Sequence, residues 1–439
     1  MPTNPSIRLD AVDANGTTLE CAIEPSRELR RFFSGEPFRA EYDVSIEDVP
    51  EGILAIPALA QLCPVAWTRG ADVYVDEVDA RFAHALADVE ATLRGMYPEF
   101  IEGGELYARR TVGAEPEDRS GHGLLFTGGV DSTAAYVRRR EAAPTPIAVR
   151  GWTIGPEPAD DGKWATLRER VSAFAAERGL EAAFVAANPL EALDHPMLLA
   201  HFSRHVDGGW YSSVGHGLGL LGLCAPLAYA RGMGELSIAA THWEGVDLEW
   251  GSRPEIDERV RWTGTDCRHE VYDLTRQERL DLIADYVRTD APGLALQTCN
   301  VRLDGNCSEC EKCYRTSIGL RLAGLDPNDH GYRFEDADYR IVREAFEDGS
   351  WILGEDERLM WADIRERVRE TEPRSAPERA FFEWLESVDL GGLVGAAGRP
   401  LGHRLLQAGA RNAPTPVYRG LYPVWDVAKR SYRRVSSGR

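Results

Sequence analysis

The sequence predicts an α/β protein whose central domain is a parallel, doubly wound, Rossmann-like sheet, flanked by a mixed α+β region and a helical one. Three observations carry this. From Leu124 onward, short apolar strands alternate with helical patterns, as in a parallel sheet with helices on its faces. At the head of that series a strand passes through two glycines directly into a helix. At its end four cysteines crowd between Cys299 and Cys313, at a spacing suited to one zinc ion tying the domain's tail to its core.

The elements follow in order. Residues 1–120 open with a β unit, then alternate the apolar runs ILAIPALAQL and VAWTRGADVYV with the helical pattern DARFAHALADVEATLRGMY. The polar stretch TVGAEPEDRSGHG reads as a linker. The central domain, residues 121–330, begins with strand LLF, a helix over about 132–142, strand PIAVRGW and a helix over about 161–178. Strand AAFVAA, a long apolar helix over about 214–231 and strand ELSIAAT follow. Residues 331–439 are helical and charged and end in a basic tail. Three regions suit a chain of 439 residues, which is too long for one ordinary core.

Composition narrows the class. The formal net charge is −21, and only 3 Lys (163, 312 and 429) stand against 47 Arg. This balance is similar to that of halophilic archaeal proteins, whose carboxylate surfaces hold water and ions; otherwise net charge reports on solubility. It argues against a broad nucleic-acid footprint, which needs clustered cations. The N-terminus, MPTNPSIRLD, lacks the apolar core of a signal peptide. The longest apolar stretch, residues 214–230, is broken by His216, glycines and Pro226 and is too short for a membrane span. A cytoplasmic protein is expected, and its cysteine cluster then reads as metal chemistry rather than a disulfide framework.

The stretch 124–133, LLFTGGVDST, is the most informative. Gly128 and Gly129 lack the Cβ atoms that would keep backbone N–H groups away from a phosphate. Thr127, Ser132 and Thr133 add hydroxyls, and Val130 and Asp131 open a helix whose N-terminus brings partial positive charge. The result is an anion cradle without the G-K-[ST] of a Walker loop. Asp131 is a candidate to orient the loop or to meet Mg2+. Farther on, Cys299, Cys307, Cys310 and Cys313 can close a tetrahedron of thiolates around zinc; an iron–sulfur cluster also takes four cysteines. Lys312 and Arg315 would offset the double negative charge of a zinc tetrathiolate.

This loop resembles the S-G-G-x-D-S loop of the PP-loop ATP pyrophosphatases, with Thr127 in place of the first Ser. The resemblance implies ATP held with residues 127–133 on its phosphates and cleaved between α and β, with AMP passing to a carboxylate, amide or nucleobase oxygen. It also implies a cation on the helix after the second strand, where Lys163 stands. The segment from Thr298-Cys299 through Cys313-Tyr314-Arg315 resembles the end of the 7-cyano-7-deazaguanine synthases, and the likeness covers about residues 122–325. Leu227-Ala228-Tyr229-Ala230 and Arg253-Pro254-Glu255 also match. The chain departs where Trp250-Gly251-Ser252 replaces an Asp-Cys pair and Leu218-Gly219 replaces Arg-Asn. The family's nucleotide chemistry is therefore implied, and its deazaguanine substrate is not. The expected function is AMP- and pyrophosphate-forming activation of a substrate oxygen, then nitrogen transfer to a small molecule or sugar, with Asp131, Ser132, Lys163 and Arg253 catalytic. One alternative is a tRNA sulfur transferase of the same superfamily, using Cys224 or Cys267. The other is a non-catalytic nucleotide sensor.

After strand ELSIAAT come His242, Trp243, Glu244, Asp247, Glu249, Trp250 and Arg253, where ligands bind beyond the carboxyl ends of strands. Trp243 and Trp250 can stack on a ring, Arg253 can pair with an anion, and Glu244 can act as a base. GLGLLG at 217–222 matches G-x-G-x-x-G, but polar DGGWYSS precedes it where a dinucleotide fingerprint needs a strand. Its glycines read instead as close helix packing. In the tail, residues 401–439 carry 8 basic residues against 1 acidic, and 417–435 interleave these with aromatics. Peripheral membrane contact, RNA binding and docking on the protein's own acidic body all remain open. The flanks are also suited to a substrate lid or a homo-oligomer interface.

Overall fold

The computed structural model describes residues 4–113, 119–206, 209–299, 301–351, 353–390 and five positions between 414 and 424. The chain forms two compact units.

The first comprises Met1–Thr127, Arg138–Thr241 and Glu249–Tyr272. It is built on an eleven-stranded sheet. In chain order the strands are β1 (Ser6–Asn15), β2 (Thr18–Pro25), β3 (Phe38–Tyr42), β4 (Asp72–Asp79), β5 (Leu106–Val112), β6 (Gly121–Leu125), β7 (Thr145–Arg150), β8 (Ala183–Ala187), β9 (Met233–Ala239), β10 (Arg261–Trp262) and β11 (Thr265–Glu270). Their spatial order is β10-β11-β9-β6-β7-β8-β3-β2-β1-β4-β5. The run β11-β9-β6-β7-β8 is parallel, as its strand–helix alternation demands.

The parallel sheet expected for residues 121–330 is present as this run, within a larger sheet that is mixed. Residues 1–120 add five strands to the same sheet, through the antiparallel pairing of β3 with β8. β1 and β2 form a hairpin around Gly16, whose φ of +60° suits a tight turn, and a hairpin reverses strand direction where a helical crossover keeps it. Between residues 124 and 241, the strands and helices read from sequence occur in the order read, with ends shifted by up to three residues.

The path runs β6, β7, β8 to one side and then places β9 on the other side of β6. The order reverses at β6, and its carboxyl end is where an open α/β sheet receives a ligand.

The glycines at 217–222 serve packing. They lie in helix His216–Leu223, preceded by the π-helical turn Tyr211–Gly215 and by no strand. A Cβ at Gly222 would come within 2.5 Å of the Ala60 Cβ, and one at Gly219 within 3.1 Å of the Gln61 amide. Helix Ile56–Trp67, buried along its length, thus lies close against the glycine face. Tyr211–Ala230 is long and apolar enough to cross a membrane, but 78% of its apolar window is buried inside the protein, as in a core helix.

The second unit comprises Gly128–Val137, His242–Leu248 and Asp273–Arg439. Its helices include Arg276–Thr289, Glu311–Leu322, Asp338–Glu347, Glu355–Val368 and Ala376–Ser387. A capping box between Thr275 and Glu278 starts the first of these. Ile318, Phe346, Trp361, Phe381 and Leu385 centre its core. The basic tail lies largely outside the described residues; Val417, Leu421 and Val424 are described, helical and exposed.

Candidate functional site

Phe126, just after β6, is tied to β7 by its N–H donating to Ile147 O (2.8 Å). Thr127 is exposed. In the second unit Gly128 takes a φ of +81°, which glycine adopts without strain. Helix Val130–Arg139 begins at once, with the Thr133 N–H donating to Gly129 O (3.0 Å) and Ser132 Oγ reaching the same carbonyl (3.4 Å). Thr133 Oγ1 is buried and has no hydrogen-bond partner, an unsatisfied donor in the first turns of a helix whose N-terminus favours anions.

Asp131 is engaged by two arginines. Arg276 Nη1 donates to both its carboxylate oxygens (2.7 Å each), and Arg279 Nη1 donates to one (2.7 Å). The Arg279 side chain is 0% exposed and that of Arg276 7%. Burial acts to raise the Asp131 carboxyl, but Arg276 and Arg279 outweigh it and hold it below the usual range. Lys312 also acts on Asp131; burial, with Arg276 and Arg315 nearby, draws its ammonium below the ordinary lysine range. Arg279 Nη2 donates to His242 O (2.6 Å), and His242 Nε2 pairs with Asp356 Oδ1 at 2.8 Å. Arg276 and Arg279 were not singled out from sequence. Their signal was the R-x-x-R spacing after a Thr cap, which puts both on one helix face.

The four cysteines converge. All four Sγ atoms lie within 4.8 Å of one another, and Cys307 and Cys313 are 3.8 Å apart. Zn–S bonds of about 2.3 Å require tetrahedron edges of about 3.8 Å, so the group can hold one metal ion. Backbone N–H groups of Arg302 and Glu309 face Cys299 Sγ (3.3 Å) and Cys307 Sγ (3.5 Å). Asn306 Oδ1 accepts from the N–H groups of Thr298 (3.0 Å) and Cys299 (3.1 Å), which shapes the knuckle. A hydrogen bond from Cys313, against burial, draws the Cys310 thiol below its ordinary range. Arg315, read as a counter-charge to the sulfurs, donates its Nε to Glu311 (2.7 Å).

The remaining sequence candidates divide between the units. Lys163, 53% exposed, is held by Asp160 at 2.5 Å, and Arg253 by Glu255 at 2.7 Å, both in the first unit. Trp243, Glu244 and Asp247 belong to the second unit, the two carboxylates exposed. Trp250 joins a run of aromatic rings that sequence reading did not assemble. Trp152 lies 4.8 Å from Tyr211, Tyr211 5.0 Å from His216, and His216 6.2 Å from Trp250. The π-helical turn Tyr211–Gly215 supports this wall, and such turns are frequent at functional sites.

No family model, curated protein or solved structure matches the chain. The functional reading rests on the loop, the cations and the cysteines themselves.

Proposed function

We propose that the protein is an AMP-forming enzyme of the PP-loop ATP pyrophosphatase kind, which binds ATP and Mg2+ and carries a structural zinc ion on Cys299, Cys307, Cys310 and Cys313. The observation that carries this is the loop after β6. Two glycines, one at φ +81°, lead into a helix whose first acidic residue gathers two buried arginines. Preorganised donors and cations of this kind stabilise the charge that develops on a leaving pyrophosphate. A substrate oxygen attacks the α-phosphorus, pyrophosphate leaves, and a nitrogen nucleophile then displaces AMP from the activated substrate. Ser132 and Thr133 supply hydroxyls to the phosphates, and Asp131 orients Arg276 and Arg279 rather than the metal. Lys163 and Arg253, each engaged by a carboxylate, are the secondary candidates for anion contact.

Sulfur transfer is the weaker reading. It needs a reactive thiolate outside the metal ligands, yet Cys224 and Cys267 are buried, with burial pushing the Cys224 thiol up to about 12 and that of Cys267 well above its ordinary value. Sulfur spacing supports a single ion such as zinc, because a multi-iron cluster binds its thiolates to different irons and holds them farther apart. The test is product analysis with ATP, Mg2+ and candidate acceptors. AMP and pyrophosphate are expected from the wild type, and Gly129→Val should lose ATP affinity by roughly tenfold or more. Formation of ADP and phosphate, or unchanged nucleotide binding in Gly129→Val, would overturn the reading.

A further inference from the structure

We propose that the four-cysteine metal centre sets the phosphate loop, so that metal loading controls how tightly the chain binds a polyphosphate anion. This deepens the nucleotide reading above and rests on it. Contacts within the second unit join the two features. Two residues before Cys299, the Gln297 N–H donates to Gly128 O (2.8 Å). The same residue grips the knuckle, its Nε2 donating to Arg302 O (3.0 Å) and Gly305 O (3.1 Å). Lys312 stands between Cys310 and Cys313 on the first turn of helix Glu311–Leu322, and its charge acts on Asp131 and Arg276. The Thr316 hydroxyl bonds Lys312 O (2.7 Å) and Thr298 Oγ1 (3.4 Å), and so braces the turn that carries the lysine.

The donors at this place suit an anion. One carboxylate, Asp131, receives three bonds from Arg276 and Arg279. Asp356, paired with His242 (2.8 Å), also acts on Arg276, and Asp363, which accepts the Gln277 N–H (2.7 Å), also acts on Arg279. In direct contact, two guanidinium groups share the one Asp131 carboxylate, and charge-assisted donors of this kind also suit phosphate oxygens. The unpartnered Thr133 hydroxyl lies in the first turns of the helix that opens at this loop. The metal's part is geometric. Its four bonds crosslink the segment from Cys299 to Cys313, and without them neither Gln297 nor Lys312 is held where the loop needs it.

The test uses the full chain and inorganic pyrophosphate, measured by isothermal titration calorimetry beside metal content and helical circular dichroism. In preparations of graded zinc content, the fraction of pyrophosphate-competent chains should track the fraction holding zinc. Lys312→Gln should weaken pyrophosphate roughly tenfold or more at full zinc content and unchanged helicity, whereas Lys312→Arg should keep most of the affinity. Should Lys312→Gln fail to fold, the zinc series decides alone. Folded, zinc-poor chains that bind pyrophosphate as tightly as loaded ones would overturn the inference while leaving the nucleotide reading in place, as would an unchanged Lys312→Gln. A zinc-loaded wild type that binds neither pyrophosphate nor ATP would overturn both.

Discussion

Replacing Asp131 with Ala tests the clamp at the start of the phosphate-loop helix. The substitution removes the acceptor of three 2.7 Å bonds and leaves the guanidinium groups of Arg276 and Arg279 without it in nearly solvent-free surroundings. Breaking a buried ion pair from one side costs about 3–5 kcal/mol. The Asp131 side chain keeps 26% of its exposure, and solvent screening places the cost at the lower end, about 3 kcal/mol. For a unit of this size each kcal/mol moves the melting temperature by about 2–4 °C, so scanning calorimetry at pH 7 should show a fall of roughly 6–12 °C. Adding Arg279→Met removes one of the two stranded charges, and the double variant should lose less than the sum of the two single changes. The pH dependence has a definite sign. The Asp131 carboxyl is depressed in the folded protein, so its contribution is complete above the unfolded carboxylate value of about 3.9 and disappears as pH falls through the lower folded value. The gap between wild type and variant should therefore close in acid. An Asp131→Ala protein melting within about 2 °C of wild type at pH 7 would refute the clamp.

Three further changes probe other parts of the structure. Cys310→Ser should reduce bound metal from one ion per chain and lower the melting temperature, because a structural metal contributes folding free energy directly; full metal content in the variant would exclude this ligand set. Gly217→Ala would bring a Cβ to 1.7 Å from Asp257 Oδ1, displacing a carboxylate that accepts from Ser252 (2.6 Å) and pairs with His269 (2.7 Å). A cost of about 1–3 kcal/mol or more is expected in urea unfolding, and an unchanged midpoint would count against the packing role. Burial, reinforced by the charge of Glu157 and opposed by Arg150, raises the Glu191 carboxyl to about 7. Its ionisation costs stability as pH climbs from the unfolded value of about 4.3 toward 7, so Glu191→Gln should raise the melting temperature at pH 8 and leave it unchanged near pH 4; equal shifts at both would contradict the assignment.

The parts of this molecule that were legible in its sequence are those whose determinants lie close together along the chain. All four clustered cysteines fall between Cys299 and Cys313, and the glycine loop occupies a single strand–turn–helix. Strands β6 to β9 are apolar runs because a parallel strand is buried on both faces. Residues 1–120 looked like a separate region because the pairing of β3 with β8 joins Ala40 to Ala187, and nothing local encodes a partner so far away. β10 and β11 escaped notice because RWTGTDCRHE carries charge along a short hairpin near the sheet's edge.

The cation cluster was hidden for the same reason. Arg276 and Arg279 meet their carboxylate across about 145 positions, and the R-x-x-R spacing alone describes any solvated helix face. Lys312 shows how this misleads. Read from sequence, its neighbours were cysteines, so its charge belonged to the metal. In the structure it also acts on Asp131, and Arg315, read in the same way, is held by Glu311. Adjacency in sequence identified the charges near the knuckle; only the fold determined which acids they meet. Lys312 is thus the residue through which the proposed coupling of the cysteine cluster to the loop is most directly tested.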